Sequence, residues 1–221
     1  MREKVKIAVL ISGGGTNLQA LLDAQKSGIL ENGEIAAVIS NKADAYGLVR
    51  AEQAGVPHYT VVKEKARRLP DGRMDPADAA EKQRQFEAEL LRILDEIGAE
   101  LIVLAGFLAI LSADFTKRFP ERILNVHPSL IPSFCGQGFY GLKVHEAALA
   151  YGVKVTGATV HFVNEVPDGG RILRQKAVEV HDGDTPELLQ RRVMEEAEWK
   201  LLPQAAEQVS AQIRAGREQK N

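Results

Sequence analysis

Short apolar runs alternate with longer amphipathic stretches along most of this chain, the pattern of a mostly parallel sheet flanked by helices. Val5 to Ile11 predicts a first strand, Asn17 to Gln25 opens a helix with Leu18, Leu21 and Leu22 on one face, and Glu34 to Ser40 predicts a second strand. A helix over Ala45 to Gln53, stopped by Gly55 and Pro57, leads to a third strand, His58 to Val62. The charged residues 63–78, with Pro70, Gly72 and Pro76, predict a surface loop before a long helix, Glu81 to Ile97. Leu101 to Ala105 is a continuous apolar strand, Leu111 to Arg118 a short helix, and Arg122-Ile123-Leu124 the start of a buried strand that ends at His127.

After residue 128 the pattern changes. A Gly-rich loop from Pro132 to Gly141 precedes a helix over Lys143 to Tyr151, and the runs Val155 to Asn164 and Arg171 to Val180 predict antiparallel strands joined by a turn. Thr185 and Pro186 have the residue types of an N-cap and a first helical position. The final helix carries the chain's only tryptophan, Trp199, expected to pack that helix onto the sheet. The predicted class is α/β, with a twisted, mostly parallel sheet. A single domain is expected over 1–221, with a Rossmann-like half over about 1–120 and an antiparallel extension over about 121–221.

Candidate chemistry collects at three places. Asn125 and His127 lie two apart on one strand and so point the same way. They sit at its carboxyl end, where open α/β sheets bind ligands, and Pro128 ends the strand. In Val166-Pro167-Asp168-Gly169-Gly170, turn chemistry leaves the Asp168 carboxylate free to face a ligand. Each piece alone also reads as an ordinary hydrogen-bonder or turn residue; together they make one polar centre. The third place, Ser12-Gly13-Gly14-Gly15-Thr16-Asn17, joins the first strand to the first helix, where bare backbone N–H groups and a helix amino terminus favour an anion. It is neither G-x-G-x-x-G nor G-x-x-x-x-G-K-[ST], so a phosphomonoester fits better than a dinucleotide or a nucleoside triphosphate.

Composition narrows the function further. Among 221 residues, 28 basic and 30 acidic side chains give a net charge of −2, which favours neither nucleic acid nor a membrane surface. The single cysteine, Cys135, rules out an intrachain disulfide and suits a reducing compartment, and the amino terminus has no apolar run long enough for a leader, so a cytoplasmic location is expected. There is no H-x-x-x-H or C-x-x-C pair, and no metal is expected.

A further set of segments completes the picture: Ser12 to Gln19, Ser40-Asn41-Lys42-Ala43-Asp44-Ala45-Tyr46-Gly47, Leu104-Ala105-Gly106-Phe107, Asn125 to Pro132, His161-Phe162-Val163 and Asp168-Gly169-Gly170. In this order, over about residues 5–204, the chain resembles the phosphoribosylglycinamide formyltransferases, folate-dependent one-carbon transferases of purine synthesis. The resemblance implies the formyltransferase fold and transfer of a formyl group from 10-formyltetrahydrofolate to the amine of glycinamide ribonucleotide, with the folate as co-substrate. It implies Asn125, His127 and Asp168 as catalytic residues and His161 as a secondary active-site residue. Gly14, Gly15, Thr16 and Asn17 would hold the substrate phosphate. Glu198 would contact the same substrate, in an alignment that needs one inserted residue within 192–199. Folate would bind at Phe107, Leu108, Ala109, Ile110, Leu111 and Asn125 with the backbone of 164–169, and Ala109 stands where some members carry Arg. The loop 133–141 is longer than in several relatives and is expected to act as a cover; His58, His145 and His181 are expected to be surface or packing residues.

Acyl transfer to an amine needs donors for a tetrahedral oxyanion and a route for protons. Asn125 and His127 suit the first need, and Asp168 beside His127 suits the second. The alternatives are a 10-formyltetrahydrofolate hydrolase and, from a different class, a non-catalytic phosphate-sugar binding protein; formylation of initiator tRNA is disfavoured by the charge balance. The partners expected are the two small molecules, with no nucleic acid and no membrane, in a monomer or homodimer.

Overall fold

The computed structural model describes residues 3–219. Seven strands form one sheet: β1 (Val5–Ile11), β2 (Gly33–Ser40), β3 (His58–Thr60), β4 (Leu101–Leu104), β5 (Ile123–His127), β6 (Val155–Phe162) and β7 (Ile172–Glu179), in the order β3-β2-β1-β4-β5-β6-β7. The pairings from β3 across to β5 are parallel, and β5–β6 and β6–β7 are antiparallel. The carboxyl ends of β1 to β5 therefore share one edge, and the strand order reverses between β1 and β4. An α/β sheet opens a ligand crevice at such a reversal.

Both faces of the central strands are covered, which is why they read as near-continuous apolar runs. Val5, Ile7, Val9 and Ile11 of β1 face one way, into a cluster with Leu18, Leu21 and Leu22 of α1 (Thr16–Ser27) and Leu202, Ala205 and Val209 of α7 (Trp199–Glu218). Ala8 and Leu10 face the other way, against Phe86, Leu90, Ile93 and Leu94 of α3 (Pro76–Ile97). The remaining helices are α2 (Tyr46–Gln53), α4 (Ala113–Lys117), α5 (Leu142–Tyr151) and α6 (Pro186–Val193), and a π-helical turn, Met194–Glu198, joins α6 to α7.

Four local expectations are corrected. The third strand stops at Thr60 rather than Val62. The long helix begins at Pro76, not Glu81: Asp75 accepts from the N–H groups of Ala77 and Asp78, and Pro76 takes the first turn, where its missing N–H costs nothing. The short helix starts after Ser112, whose hydroxyl caps Phe115 N–H, rather than at Leu111. Trp199 does not anchor the final helix on the sheet. It lines a cleft between α1 and α7 with Ala20, Ala24 and Pro203, while Leu202, Ala205 and Val209 face the core.

Candidate active site

The polar centre is assembled by strand register. In the antiparallel β5–β6 pair, Asn125 stands opposite His161 and His127 opposite Thr159. The Asn125 amide nitrogen lies 3.2 Å from His161 Nε2, and His161 Nδ1 donates to the Phe162 carbonyl at 2.9 Å. His127 is buried, and its Nε2 lies 2.9 Å from the Phe134 carbonyl. A carbonyl only accepts, so Nε2 carries a hydrogen, and Nδ1 is the ring atom that faces Asp168.

Asp168 arrives from the turn between β6 and β7 with a left-handed backbone, φ 54°, a conformation Asp tolerates better than most residues. Gly170 lets this turn close, because a Cβ there would lie 1.7 Å from the Phe162 carbonyl oxygen. The Asp168 carboxylate spans the two imidazoles, with Oδ2 3.5 Å from His127 Nδ1 and Oδ1 3.5 Å from His161 Nε2. Its Oδ2 also accepts the Gly136 N–H at 2.9 Å. Burial pushes the Asp168 carboxyl up, but the bond with His161, the His127 charge and Gly136 together hold it below the usual carboxylate range. Burial pushes His127 down, against the opposing pull of the Asp168 charge, so the ring is held below the ordinary histidine value. An acidic carboxylate facing two imidazoles forms a centre that can hold a proton where negative charge develops nearby.

The loop after β5 closes over this centre through Phe134 and Gly136. Ser129 supports it by donating to the Ser133 carbonyl at 2.6 Å, and Thr159 by donating to the Ser129 carbonyl at 2.7 Å. Cys135 lies in the loop with its thiol pushed up by burial and then by the Asp168 charge, the opposite of an activated nucleophile. His58 and His181 are exposed. His145 is fully buried on α5, and burial first, then the His127 charge, pushes it down to about 4.

The Gly-rich loop follows β1 on the same sheet edge. Gly15 has φ 71° and caps α1, and a Cβ there would meet the Gly47 Cα at 2.7 Å, so loop and α2 pack backbone to backbone. Gly47 N–H donates to the Gly13 carbonyl at 3.0 Å, and Arg50 Nε to the Gly14 carbonyl at 2.8 Å. Asn17 is buried and donates through Nδ2 to Glu198 Oε2 at 2.7 Å. Burial pushes Glu198 up to about 7, opposed by that bond. Glu198 ends the π-helical turn, so the inserted residue needed to align 192–199 coincides with a widened turn.

The segment after β4 divides. Phe107 and Leu111 belong to the core beneath the site, whereas Leu108 and Ile110 are 57% and 75% exposed, with Ala109 half-buried between them. Alternate residues of this short extended loop face opposite ways, and Phe107 and Leu111 are the inward ones. Leu108 N–H donates to Ser12 Oγ at 2.8 Å, tying this loop to the Gly-rich one. Glu87 of α3 accepts from Ser112 N and Ser112 Oγ, both at 2.6 Å, and from Gln83 Nε2 at 2.6 Å, and Gln83 Nε2 also reaches the Ile110 carbonyl at 3.0 Å.

Ser12, Arg50, Gln83 and Glu87 escape a reading of the sequence. Only Ser12 lies in a segment with a visible motif; the others sit on helices as ordinary polar residues. Among the described residues, no group of three His, Cys, Asp or Glu side chains is placed to hold a metal ion.

Comparison with known proteins shows the family. The family model for formyl transferases matches residues 5–206. Phosphoribosylglycinamide formyltransferase of Haemophilus influenzae is 42% identical over 198 residues, 90% of this chain and 84% of that protein. The chloroplastic phosphoribosylglycinamide formyltransferase of Arabidopsis thaliana is 40% identical over 86% of this chain, and the chain spans 61% of its length. Among solved structures, glycinamide ribonucleotide transformylase 1 from Symbiobacterium toebii superposes with a TM-score of 0.79 at 41% identity, covering 94% of this chain and 88% of that one. A formyltetrahydrofolate deformylase from Pseudomonas syringae gives 0.78 at 28% identity, covering 95% of this chain and 62% of that one. The chain belongs to the formyl transferase family and, within it, to the group of phosphoribosylglycinamide formyltransferases.

Proposed function

We propose that this protein transfers the formyl group of 10-formyltetrahydrofolate to the amine of glycinamide ribonucleotide, a step of purine synthesis. The observation that carries the reading is the convergence of Asn125, His127, His161 and Asp168 beside a glycine-capped helix start on the same sheet edge. The ribonucleotide phosphate binds at the N–H groups of Gly14, Gly15 and Thr16, and Asn17 and Glu198 contact the same substrate. Its amine attacks the formyl carbon, forming a carbon–nitrogen bond and a tetrahedral oxyanion. The Asn125 amide donates to that oxygen, and a protonated His127 beside it balances the negative charge. Asp168 pairs with the imidazolium while the proton lost by the amine passes to the folate nitrogen as its bond to carbon breaks. The folate ring lies against the loop after β4, the Asp168 turn and Asn125.

No metal is needed, because an amine attacks without a metal-activated water. The reading includes one formyltransferase domain over the chain, a monomer or homodimer, and a cytoplasmic location. Relatives described as chloroplastic make compartment a variable property of the group. No helix among the described residues is long and apolar enough to cross a membrane.

A second reading, hydrolysis of 10-formyltetrahydrofolate, draws support from the likeness to the deformylase. It leaves the phosphate loop and the Asn17–Glu198 pair without a task. The deciding assay mixes the protein with 10-formyltetrahydrofolate and follows release of tetrahydrofolate with and without glycinamide ribonucleotide. Ribonucleotide-dependent release supports transfer; release that ignores the ribonucleotide establishes the hydrolase.

A further inference from the structure

The carbonyls of the three successive glycines in the Gly-rich loop are all engaged. Gly13 accepts the Gly47 N–H at 3.0 Å, Gly14 accepts Arg50 Nε at 2.8 Å, and Gly15 accepts the Gln19 N–H at 2.9 Å. In a trans peptide the carbonyl and the N–H of the next residue point in opposite directions, and these peptides are trans. Holding the three carbonyls therefore sets the aim of the N–H groups of Gly14, Gly15 and Thr16, which have no acceptor among the described residues. Two of the three clamps are backbone groups; the middle one is a side chain. Arg50 reaches the loop from α2 half-buried, donates again through Nη1 to Gln19 Oε1 at 2.9 Å, and sets its guanidinium carbon 5.1 Å from the centroid of the Tyr46 ring. Its partners are a carbonyl, an amide and an aromatic face, with no carboxylate among the described residues.

We propose that Arg50 is a positioning residue for the substrate phosphate, setting the Gly14–Gly15 peptide so that the Gly15 N–H is aimed before the ligand arrives. The inference rests on the transfer reading above and adds a residue behind its phosphate loop. A run of glycines has more conformational freedom than any other sequence, and a loop that must stop moving on binding loses affinity for that reason. Arg50 removes the freedom in advance. A guanidinium suits the task because its Nε–H and Nη1–H lie in one rigid plane and hold a carbonyl and the Gln19 amide together, whereas an ammonium brings charge without the fork. A charged donor on the Gly14 carbonyl also polarises the peptide and strengthens the N–H at its other end.

The test compares glycinamide ribonucleotide with glycinamide riboside, which lacks the phosphate. Arg50→Ala should raise KM for the ribonucleotide by about tenfold, the scale on which an orienting partner acts, with kcat changing far less. The kcat/KM for the riboside and KM for the folate should stay as in the wild type. Arg50→Lys keeps the charge without the fork and should resemble Arg50→Ala. The ratio between wild type and Arg50→Ala should hold as ionic strength rises, because Arg50 bonds to a neutral carbonyl rather than to the phosphate. Direct titration of the ribonucleotide with no folate present gives the same comparison without formyl transfer, so loss of the transfer reading and loss of this inference are separable. Rescue by Arg50→Lys with a ratio that collapses in salt would make Arg50 a direct ligand of the phosphate, and an equal loss for ribonucleotide and riboside would make it a prop of the fold. Either result overturns the proposal.

Discussion

His161 stands opposite Asn125 across the β5–β6 pairing, its Nε2 3.2 Å from the Asn125 amide nitrogen and 3.5 Å from Asp168. An asparagine amide has two N–H groups, so engaging one with His161 leaves the second oriented for a ligand. His161 is thereby a positioning residue for Asn125, and it also lies against the carboxylate that serves His127.

That division of labour orders the expected losses. Asn125→Ala, His127→Ala and Asp168→Asn should each lower kcat by at least ~10², the scale of one oxyanion donor or general acid–base group. His161→Ala should cost less, between about 10- and 100-fold, as loss of an orienting partner does, and His161→Gln should recover part of it. Affinity for the ribonucleotide should change little throughout. Single-turnover kinetics beside ribonucleotide titrations check this, and a His161→Ala variant as slow as Asn125→Ala would make His161 a direct participant.

Two adjacent glycines should behave differently. A Cβ at Gly14 meets nothing within 4 Å, so Gly14→Ala should fold with wild-type stability yet bind the ribonucleotide more weakly, because the methyl occupies the approach of a phosphate oxygen. Gly15→Ala carries a left-handed φ and a 2.7 Å encounter with Gly47, and should lose about 1–3 kcal/mol of stability as well. Chemical denaturation beside separate titrations of ribonucleotide and folate resolves the two effects. Weakening of both ligands to the same extent in Gly14→Ala would reduce the loop to a structural turn.

Glu87 fixes the start of α4 and, through Gln83, the Ile110 carbonyl. Glu87→Ala leaves Ser112 and Gln83 without their acceptor and should destabilise the fold by about 2 kcal/mol while raising KM for the folate more than for the ribonucleotide. An unchanged folate KM in a destabilised variant would separate the anchor from the site.

Glu198 links the stability of the fold to pH. Its folded value, about 7, lies above its unfolded one, so the folded state holds more protons in between. Its contribution to stability is complete below the unfolded value and is lost as pH rises through about 7, an effect of up to about 3 kcal/mol. Glu198→Gln, which cannot ionise, should gain stability relative to the wild type between pH 5 and pH 8. Denaturation midpoints of both proteins at the two pH values test the sign, and parallel midpoints would mean that Glu198 is ionised without penalty.

The chemistry was legible where a local rule dictates it. Strand alternation put Asn125 and His127 on one side, and the Asp-Gly-Gly turn announced an exposed carboxylate. The distance from Asp168 to both imidazoles is different in kind, because it depends on the β5–β6 register and on how tightly Gly170 lets the turn close. The supporting residues were hidden for a related reason. Glu87 and Gln83 sit at positions where a helix commonly carries polar residues, and only the packing of α3 against the loop after β4 gives them partners. Trp199 departs from the rule that a lone aromatic packs a helix onto the sheet, because it lines the cleft between α1 and α7.

The π-helical turn at Met194–Glu198 has a consequence for how the protein tolerates change. In a continuous α-helix one extra residue swings everything after it by about 100° and slides it by about 1.5 Å, which would turn Glu198 away from Asn17. A widened turn absorbs the surplus where it arises, like slack taken up in a joint, so α6 and α7 each keep their own contacts. The aim of the Glu198 carboxylate at Asn17 is thus insulated from the length of the helix that precedes it.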